Sequence, residues 1–287
     1  MFAVTPHEDA LETLELRDDA ADSRMLLAPT RGGLATRLRL GGRDIFYLDE
    51  STLRDPTKNV RGGNPVLFPQ PGKLSGDVYA RGAVRGALKQ HGFARTCAWD
   101  VVAMRSDDAA SATLRLLPSD ASRAAYPWEF GASFTYTLRG QVLRIEQAFT
   151  NHSDTPMPFG AGFHPYFHVP QREKAGARIS TTATRAFDNV TKTTGALAEI
   201  DLAQAEVDLH LVDHGALPCT LEWPSGAVIV RGSSEYTHWV IWTLRDKDFV
   251  CVEPWTCPGD ALNSGDRLLE LAPEETRTLW VEYEALR

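Results

Sequence analysis

The sequence predicts an all-β fold on three observations. Short runs in which apolar and polar residues alternate recur from end to end, clusters of Gly, Pro, Asp and Asn separate them, and no amphipathic helical repeat extends over three turns. Many short strands with frequent turns build a sandwich or a barrel, and 287 residues fit one such domain with a large core. With no internal repeat, low-complexity tract or long linker, residues 1–287 are expected to form a single domain.

In Leu34–Leu40 the side chains of Leu34, Leu38 and Leu40 share one face and Arg37 and Arg39 take the other. Gly41-Gly42 then lead into a second apolar run over residues 45–48, which predicts a hairpin turned on glycine. Residues 59–85 are rich in Gly and Pro and poor in alternation, so a long loop beside a binding face is expected there. A strand through His91, Gly92 and Arg95 would put residues 91, 93 and 95 on one side. Residues 133–138 alternate, pass through Arg139-Gly140, and alternate again over 142–149, which predicts a second hairpin. The one helix expected is a short turn around residues 201–205. Further strands are expected at 227–230, His238–Leu244, 249–253 and 278–283, each bounded by turn-forming residues.

Composition narrows the functional class. At 43% hydrophobic and 24% charged residues the chain is a soluble globular type rather than disordered or collagenous. A formal net charge of -8 lacks the basic excess of a nucleic-acid binder. No stretch approaches the ~18 apolar residues of a membrane helix, and residues 1–22 show no cationic start followed by an apolar run, so a cytoplasmic location is expected. Cys97, Cys219, Cys251 and Cys257 form no C-x-x-C pair and read as reduced thiols. A small hydrophobic packing role suits Cys97 and Cys251.

Chemistry concentrates in four places. In Gly162-Phe163-His164-Pro165-Tyr166-Phe167 the proline biases His164 toward extended backbone, so its imidazole sits at a strand end or turn, where scaffolds present reactive groups. A buried core histidine is the competing reading. Arg61 precedes Gly62-Gly63, which lets the backbone turn sharply and bring a guanidinium to hydroxyls or a phosphate. His91 and Arg95 form the third cluster. Glu253 follows the apolar run Phe249-Val250-Cys251-Val252, where a carboxylate is costly without a role or a partner such as an arginine. Pro254 is expected to end that strand, and Trp255 offers a surface of the kind that stacks on sugar rings.

Metal and nucleotide signals fail. His164 and His168 have helical ligand spacing, but Pro165 argues against a helix, and His210 and His214 read as a solvated pair. H-E-x-x-H, G-x-S-x-G, Walker A and G-x-G-x-x-G are absent, so no metal and no cofactor is expected.

Four segments in this order, N-P-V-L-F-P-Q-P-G-K-L from residue 64, H-G-F-A-R from 91, N-H-S-D-T-P-M-P-F-G-A-G-F-H-P-Y-F from 151 and V-C-V-E-P-W-T from 250, resemble the aldose 1-epimerase (galactose mutarotase) family from about Leu34 onward. The resemblance implies a large twisted antiparallel β-sandwich with a sugar site on a concave sheet face. It implies Glu253 as general base and His164 as general acid in sugar ring opening, with a nearby carboxylate raising the His164 pKa. Arg61, His91 and Arg95 would bind the sugar, and Asp208 ranks ahead of Asp188 as the substrate-binding aspartate.

The branch stays open. Arg61-Gly62-Gly63-x-Pro65 is similar to the hexose-6-phosphate 1-epimerases, whose arginines near here and at Arg95 take the phosphate, whereas Asn64 and Leu74-Ser75-Gly76-Asp77-Val78-Tyr79 resemble the short bacterial aldose epimerases. A small-molecule sugar or sugar phosphate is the implied partner, and a monomer or weak homodimer the expected state. The competing class is a carbohydrate-binding module without turnover.

Overall fold

The computed structural model describes residues 1–8 and 11–286. Their strands form a five-stranded sheet, two eight-stranded sheets and two small two-stranded ones, giving the all-β architecture the sequence predicts. The five-stranded sheet runs in chain order through Phe2–Glu8, Glu12–Asp18, Ser23–Ala28, Leu34–Leu40 and Arg43–Asp44. Its first three strands lie ahead of the segment the motifs single out, yet Leu14 and Leu16 alternate with Glu15 and Arg17 as a half-buried strand requires.

One large sheet is ordered Arg178–Ser180, Cys219–Trp223, Gly226–Gly232, Thr276–Leu286, Val142–Asn151, Phe130–Arg139, Ala110–Leu116 and Asp100–Arg105. The second is ordered Thr193–Ala196, Arg185–Asp188, Glu206–Leu211, His238–Leu244, Phe249–Trp255, Gly162–Phe163 and Val66–Leu67, with Tyr166–His168 also paired to Phe249–Trp255. Neighbouring strands pair antiparallel. Val207, Leu211, Trp239, Ile241, Val250 and Val252 of the second sheet share one core cluster with Phe134, Ile145, Leu279 and Val281 of the first. Because strand side chains alternate, the intervening residues of the second sheet face away from that core. That outer face carries the site.

The expected hairpins form. Leu40 pairs with Arg43 around Gly41-Gly42, and Arg139 with Val142 around Gly140-Gln141. Residues 45–48 leave the first hairpin at once, because Phe46 bridges Phe167 and Leu48 bridges Gly62. That excursion ties the strand to the two loops that carry His164 and Arg61.

Three local expectations are corrected. Residues 201–205 form turns rather than a helix; short helices instead occupy Glu50–Arg54, Asp120–Ala125 and Ala261–Ser264. The first two begin at Asp49 and Ser119, whose side chains accept backbone N–H bonds, a capping signal stronger than any in 201–205. The 59–85 segment is only partly loop, since it contributes Val66–Leu67 to the site sheet and Val78–Arg81 to a small hairpin with Val84–Ala87. Pro254 does not end its strand, which continues to Trp255. An antiparallel strand directs alternate N–H groups away from a given neighbour, so a proline fits one of those positions.

Candidate active site

Glu253 is placed by period two. In Phe249–Trp255, Val250 and Val252 enter the main core while Phe249, Cys251, Glu253 and Trp255 point to the outer face, where loops cover them. The same rule brings Asp208 and His210 out of Glu206–Leu211, and His238, Val240 and Trp242 out of His238–Leu244. His164 lies in the break between Gly162–Phe163 and Tyr166–His168, where Pro165 allows the chain to leave one strand pairing and enter the next. Its N–H donates to Pro65 O at 3.1 Å, and its ring stacks on Tyr166 at 4.6 Å and 6°. Gly162 opposite Trp255 has no room for a Cβ, which would lie 2.8 Å from the indole.

These elements wall a cavity of about 730 Å³ lined by Arg61, His91, Arg95, His164, Asp208 and Glu253 among others. All six sequence-selected residues therefore meet in one place. Asp188 does not. Its carboxylate accepts the N–H groups of Val190 and Thr191 and caps a turn, while Asp208 lines the cavity and accepts from Asn189 Nδ2 at 2.7 Å.

At the cavity floor His164 Nε2 lies 3.4 Å from Glu253 Oε1. Glu253 is 2% exposed and accepts a hydrogen bond from Trp255 Nε1 at 3.1 Å on its other oxygen. Burial, reinforced by the charge of Asp208, pushes the Glu253 pKa well above its ordinary value. Burial, with Arg95 and Arg61 adding to it, pushes His164 down to about 3. The expected upward shift of His164 is overturned: the carboxylate is adjacent but is itself driven toward the neutral form, so it offers little charge against desolvation and two guanidinium groups. Both shifts point the same way, disfavouring charge on Glu253 and on His164 and so favouring the pair with the proton on the carboxyl.

His91 is not on a strand. It adopts a left-handed backbone with φ of 70°, and Gly92 follows at 68°, where a Cβ would lie 2.2 Å from Phe68 O. The turn, followed by the 3-10 segment Ala94–Thr96, brings His91 and Arg95 to the cavity by curvature, while Phe93 packs against the core. The backbone N–H of Gly72 donates to His91 Nδ1 at 3.0 Å, which leaves the His91 proton on Nε2. Arg95 is anchored by a bond from Nη2 to Gln90 O at 2.7 Å, and its Nε is buried without a partner. Arg61 lies over the Trp242 ring at 5.5 Å, and Gly62 at φ 142° makes the turn expected of it.

Other expectations need revision. Trp255 is 3% exposed, stacked on His238 and edged by His91 and His210, so it supports the floor rather than offering an open face. His210 and His214 are not a solvated pair: His210 lines the cavity, and His214 is buried against Trp239, bonded to Thr181 and Leu217. Helical spacing carried no meaning because His210 sits on a strand. His238 and Arg267 also line the cavity, and no local motif in the sequence marks them.

Among the described residues one group could hold a metal ion, His164, Cys251 and Glu253, whose ligand atoms lie within 4.8 Å of one another. Burial pushes both the Cys251 thiol and the Glu253 carboxyl well up, so a cation there would bind against both shifts. All four cysteines are free, and Cys251 packs with Tyr166 and Phe249.

The sheet order and chain path define a galactose mutarotase-like fold, shared with a galactose mutarotase-like protein from Clostridium acetobutylicum at a TM-score of 0.84 and 19% identity over 100% of this chain and 99% of that one. Residues 12–284 match the aldose 1-epimerase family, and the chain belongs to it. The Slr1438 protein from Synechocystis sp. PCC 6803 is 37% identical with a TM-score of 0.93, covering 99% of this chain and 98% of that one. Protein LacX from Lactococcus lactis subsp. lactis is 26% identical over 275 residues, 84% of this chain and 90% of LacX. A putative glucose-6-phosphate 1-epimerase from Cenchrus ciliaris is more distant, 25% identical over 142 residues, 45% of this chain and 38% of that protein. No helix among the described residues is long and apolar enough to cross a membrane.

Proposed function

We propose that the protein is a cofactor-independent aldose 1-epimerase that interconverts the α and β anomers of a free aldohexose within a single domain. The observation that carries this reading is the placement of His164 Nε2 3.4 Å from Glu253 Oε1 at the floor of a cavity that Arg61, His91, Arg95 and Asp208 also line. In the reactive form Glu253 is a carboxylate and His164 an imidazolium. Glu253 takes the proton of the anomeric hydroxyl, C1=O forms as the C1–O5 bond breaks, and His164 gives its proton to O5. Rotation about C1–C2 and the reverse transfers close the other anomer.

Ring opening leaves Glu253 protonated and His164 neutral, the distribution that burial favours. The open aldehyde therefore matches the pair's preferred state. The reactive distribution needs stabilising by sugar hydroxyls that donate to the carboxylate. Neutral His91, with Nε2–H, would donate to the sugar, and Asp208 would accept from it. Polarimetry of freshly dissolved α-galactose and α-glucose tests the reading: rates well above buffer are expected, and saturable binding without acceleration would mean a binding module instead.

A second reading keeps the chemistry and changes the substrate to a hexose 6-phosphate. Arg61 and Arg95 favour it, since both line the cavity and neither has an ion-pair partner among the described residues. Losing a charge-assisted hydrogen bond costs about 1.5–3 kcal/mol, roughly 10- to 100-fold. For a free-sugar enzyme, Arg61→Ala is expected to slow free and 6-phosphorylated hexose to similar extents. A selective loss on the phosphorylated sugar would establish the second reading.

A further inference from the structure

We propose that His210 is a sugar-hydroxyl donor whose proton is held on Nε2 by a relay through His238 and Arg267, so that His210 and Asp208 together form a donor–acceptor cleft for an unphosphorylated ring hydroxyl. This inference rests on the sugar-epimerase reading above. His210 and Asp208 stand side by side on the outer face of Glu206–Leu211, and His238 begins the neighbouring strand. Arg267 comes from the turn after Ala261–Ser264 and holds a left-handed backbone with φ of 50°.

A guanidinium can only donate. Arg267 Nη2 lies 3.2 Å from His238 Nδ1 and its Nη1 donates to Thr237 O at 3.2 Å, so His238 Nδ1 must accept. The one proton of a neutral His238 is then on Nε2, which lies 2.8 Å from His210 Nδ1. That contact makes His210 Nδ1 an acceptor in turn. The His210 proton is left on Nε2, 3.6 Å from Asp208 Oδ1 and lining the cavity. Burial keeps both rings neutral, pushing His238 well down and His210 to about 4, with Arg267 and Lys192 as the cations that add to it. The argument from one proton per ring therefore holds at neutral pH.

A separation of 3.6 Å is too long for a good hydrogen bond, so donor and acceptor both remain available. Asp208 Oδ2 is already engaged by Asn189, which leaves Oδ1 for the ligand. A hydroxyl accepts from one group and donates to another, and here it would accept from His210 and donate to Asp208. A phosphate has only acceptors to offer and would meet the Asp208 carboxylate, so this end of the cavity selects a neutral hydroxyl. His210 and His238 both pack on Trp255, whose Nε1 holds Glu253, so the relay also abuts the catalytic pair. His238 and Arg267 are positioning residues here, acting through His210.

The test is 15N NMR of histidine-labelled full-length protein near pH 7, together with sugar kinetics. Single neutral Nε2–H tautomers are expected for His210 and His238, with Arg267→Met giving mixed tautomers at both. His210→Phe and Arg267→Met are expected to raise KM about tenfold, as for one lost hydrogen bond, with a smaller change in kcat. His238→Gln, which keeps a donor near the Nε2 position, is expected to hold KM closer to wild type than His238→Leu does. A wild-type His210 protonated on Nδ1 overturns the relay, and so do folded Arg267→Met and His238→Leu variants with unchanged tautomers and KM. If a variant fails to fold, the wild-type spectrum still decides. A wild-type protein that accelerates no sugar would overturn the proposed reaction and leave the tautomer result to be read separately.

Discussion

Glu253→Gln is expected to lower kcat/KM for anomer exchange by about 10³-fold, within the roughly 10² to 10⁴ that a positioned acid or base contributes, while raising the melting temperature at pH 7. The amide preserves the shape of the side chain and can still accept from Trp255 Nε1, so the loss would come from the missing basic oxygen. The stability gain follows from linkage. Glu253 has a folded pKa well above its unfolded value, so between the two the folded state keeps a proton that the unfolded state releases. Its stabilising contribution is complete below the unfolded pKa and is lost as pH rises through the folded one. Glutamine does not titrate, so its advantage appears above about pH 4.3 and closes at lower pH. Thermal melts at pH 4 and pH 7 beside polarimetry check both halves. Retained activity would sink the catalytic assignment, and a variant less stable at pH 7 would sink the account of a carboxyl kept neutral by burial.

His164→Phe is expected to cost a similar factor, about 10³. Phenylalanine keeps an aromatic ring to stack on Tyr166, so the measured loss would report the missing proton donor rather than collapse of the floor. The wild-type pH profile carries the same test without a mutation. The active pair holds one proton. With ordinary values of 4.5 and 6.5 that form would exist only between them, and activity would fall on both sides of a narrow optimum. In this cavity the second proton joins only as pH falls toward about 3, and the last one leaves only above the raised Glu253 value. A plateau in kcat/KM, which reports the free enzyme, is therefore expected to hold as pH falls through 4.5. An acid limb centred near pH 4.5 would show a pair titrating at ordinary values and overturn the burial argument.

Much of the fold was legible because strand patterning is local. The hairpin over residues 130–151 and the strands at His238–Leu244 and 249–253 appear wherever apolar residues alternate or run unbroken between turns. The N-terminal strands carry the same signal in Leu14 and Leu16, ahead of the first motif. At His91 the sequence predicts a strand and the structure has a turn, for a physical reason. Two polar residues flanking Gly92 look alike whether the chain is extended or reversed, and only the close approach of Gly92 to Phe68 O requires the reversal.

The site divides in the same way. His164, Glu253, Arg61, His91 and Arg95 sit in distinctive local contexts, so they could be picked from the chain before any contact was known. His210, His238 and Arg267 could not, because nothing nearby marks a strand histidine that will meet another strand's histidine and an arginine from a distant turn.

Residue order alone, then, was enough for the all-β class, for most of the central strands and for six candidate side chains that line one cavity, since each is marked by neighbours within a few positions. Which protons those side chains carry was out of its reach. Proton placement depends on how deeply Glu253 and His164 are buried, on two arginines brought in from separate loops, and on the register that sets His210 against His238. Those are properties of segments far apart in the chain that meet only when the sheets are assembled.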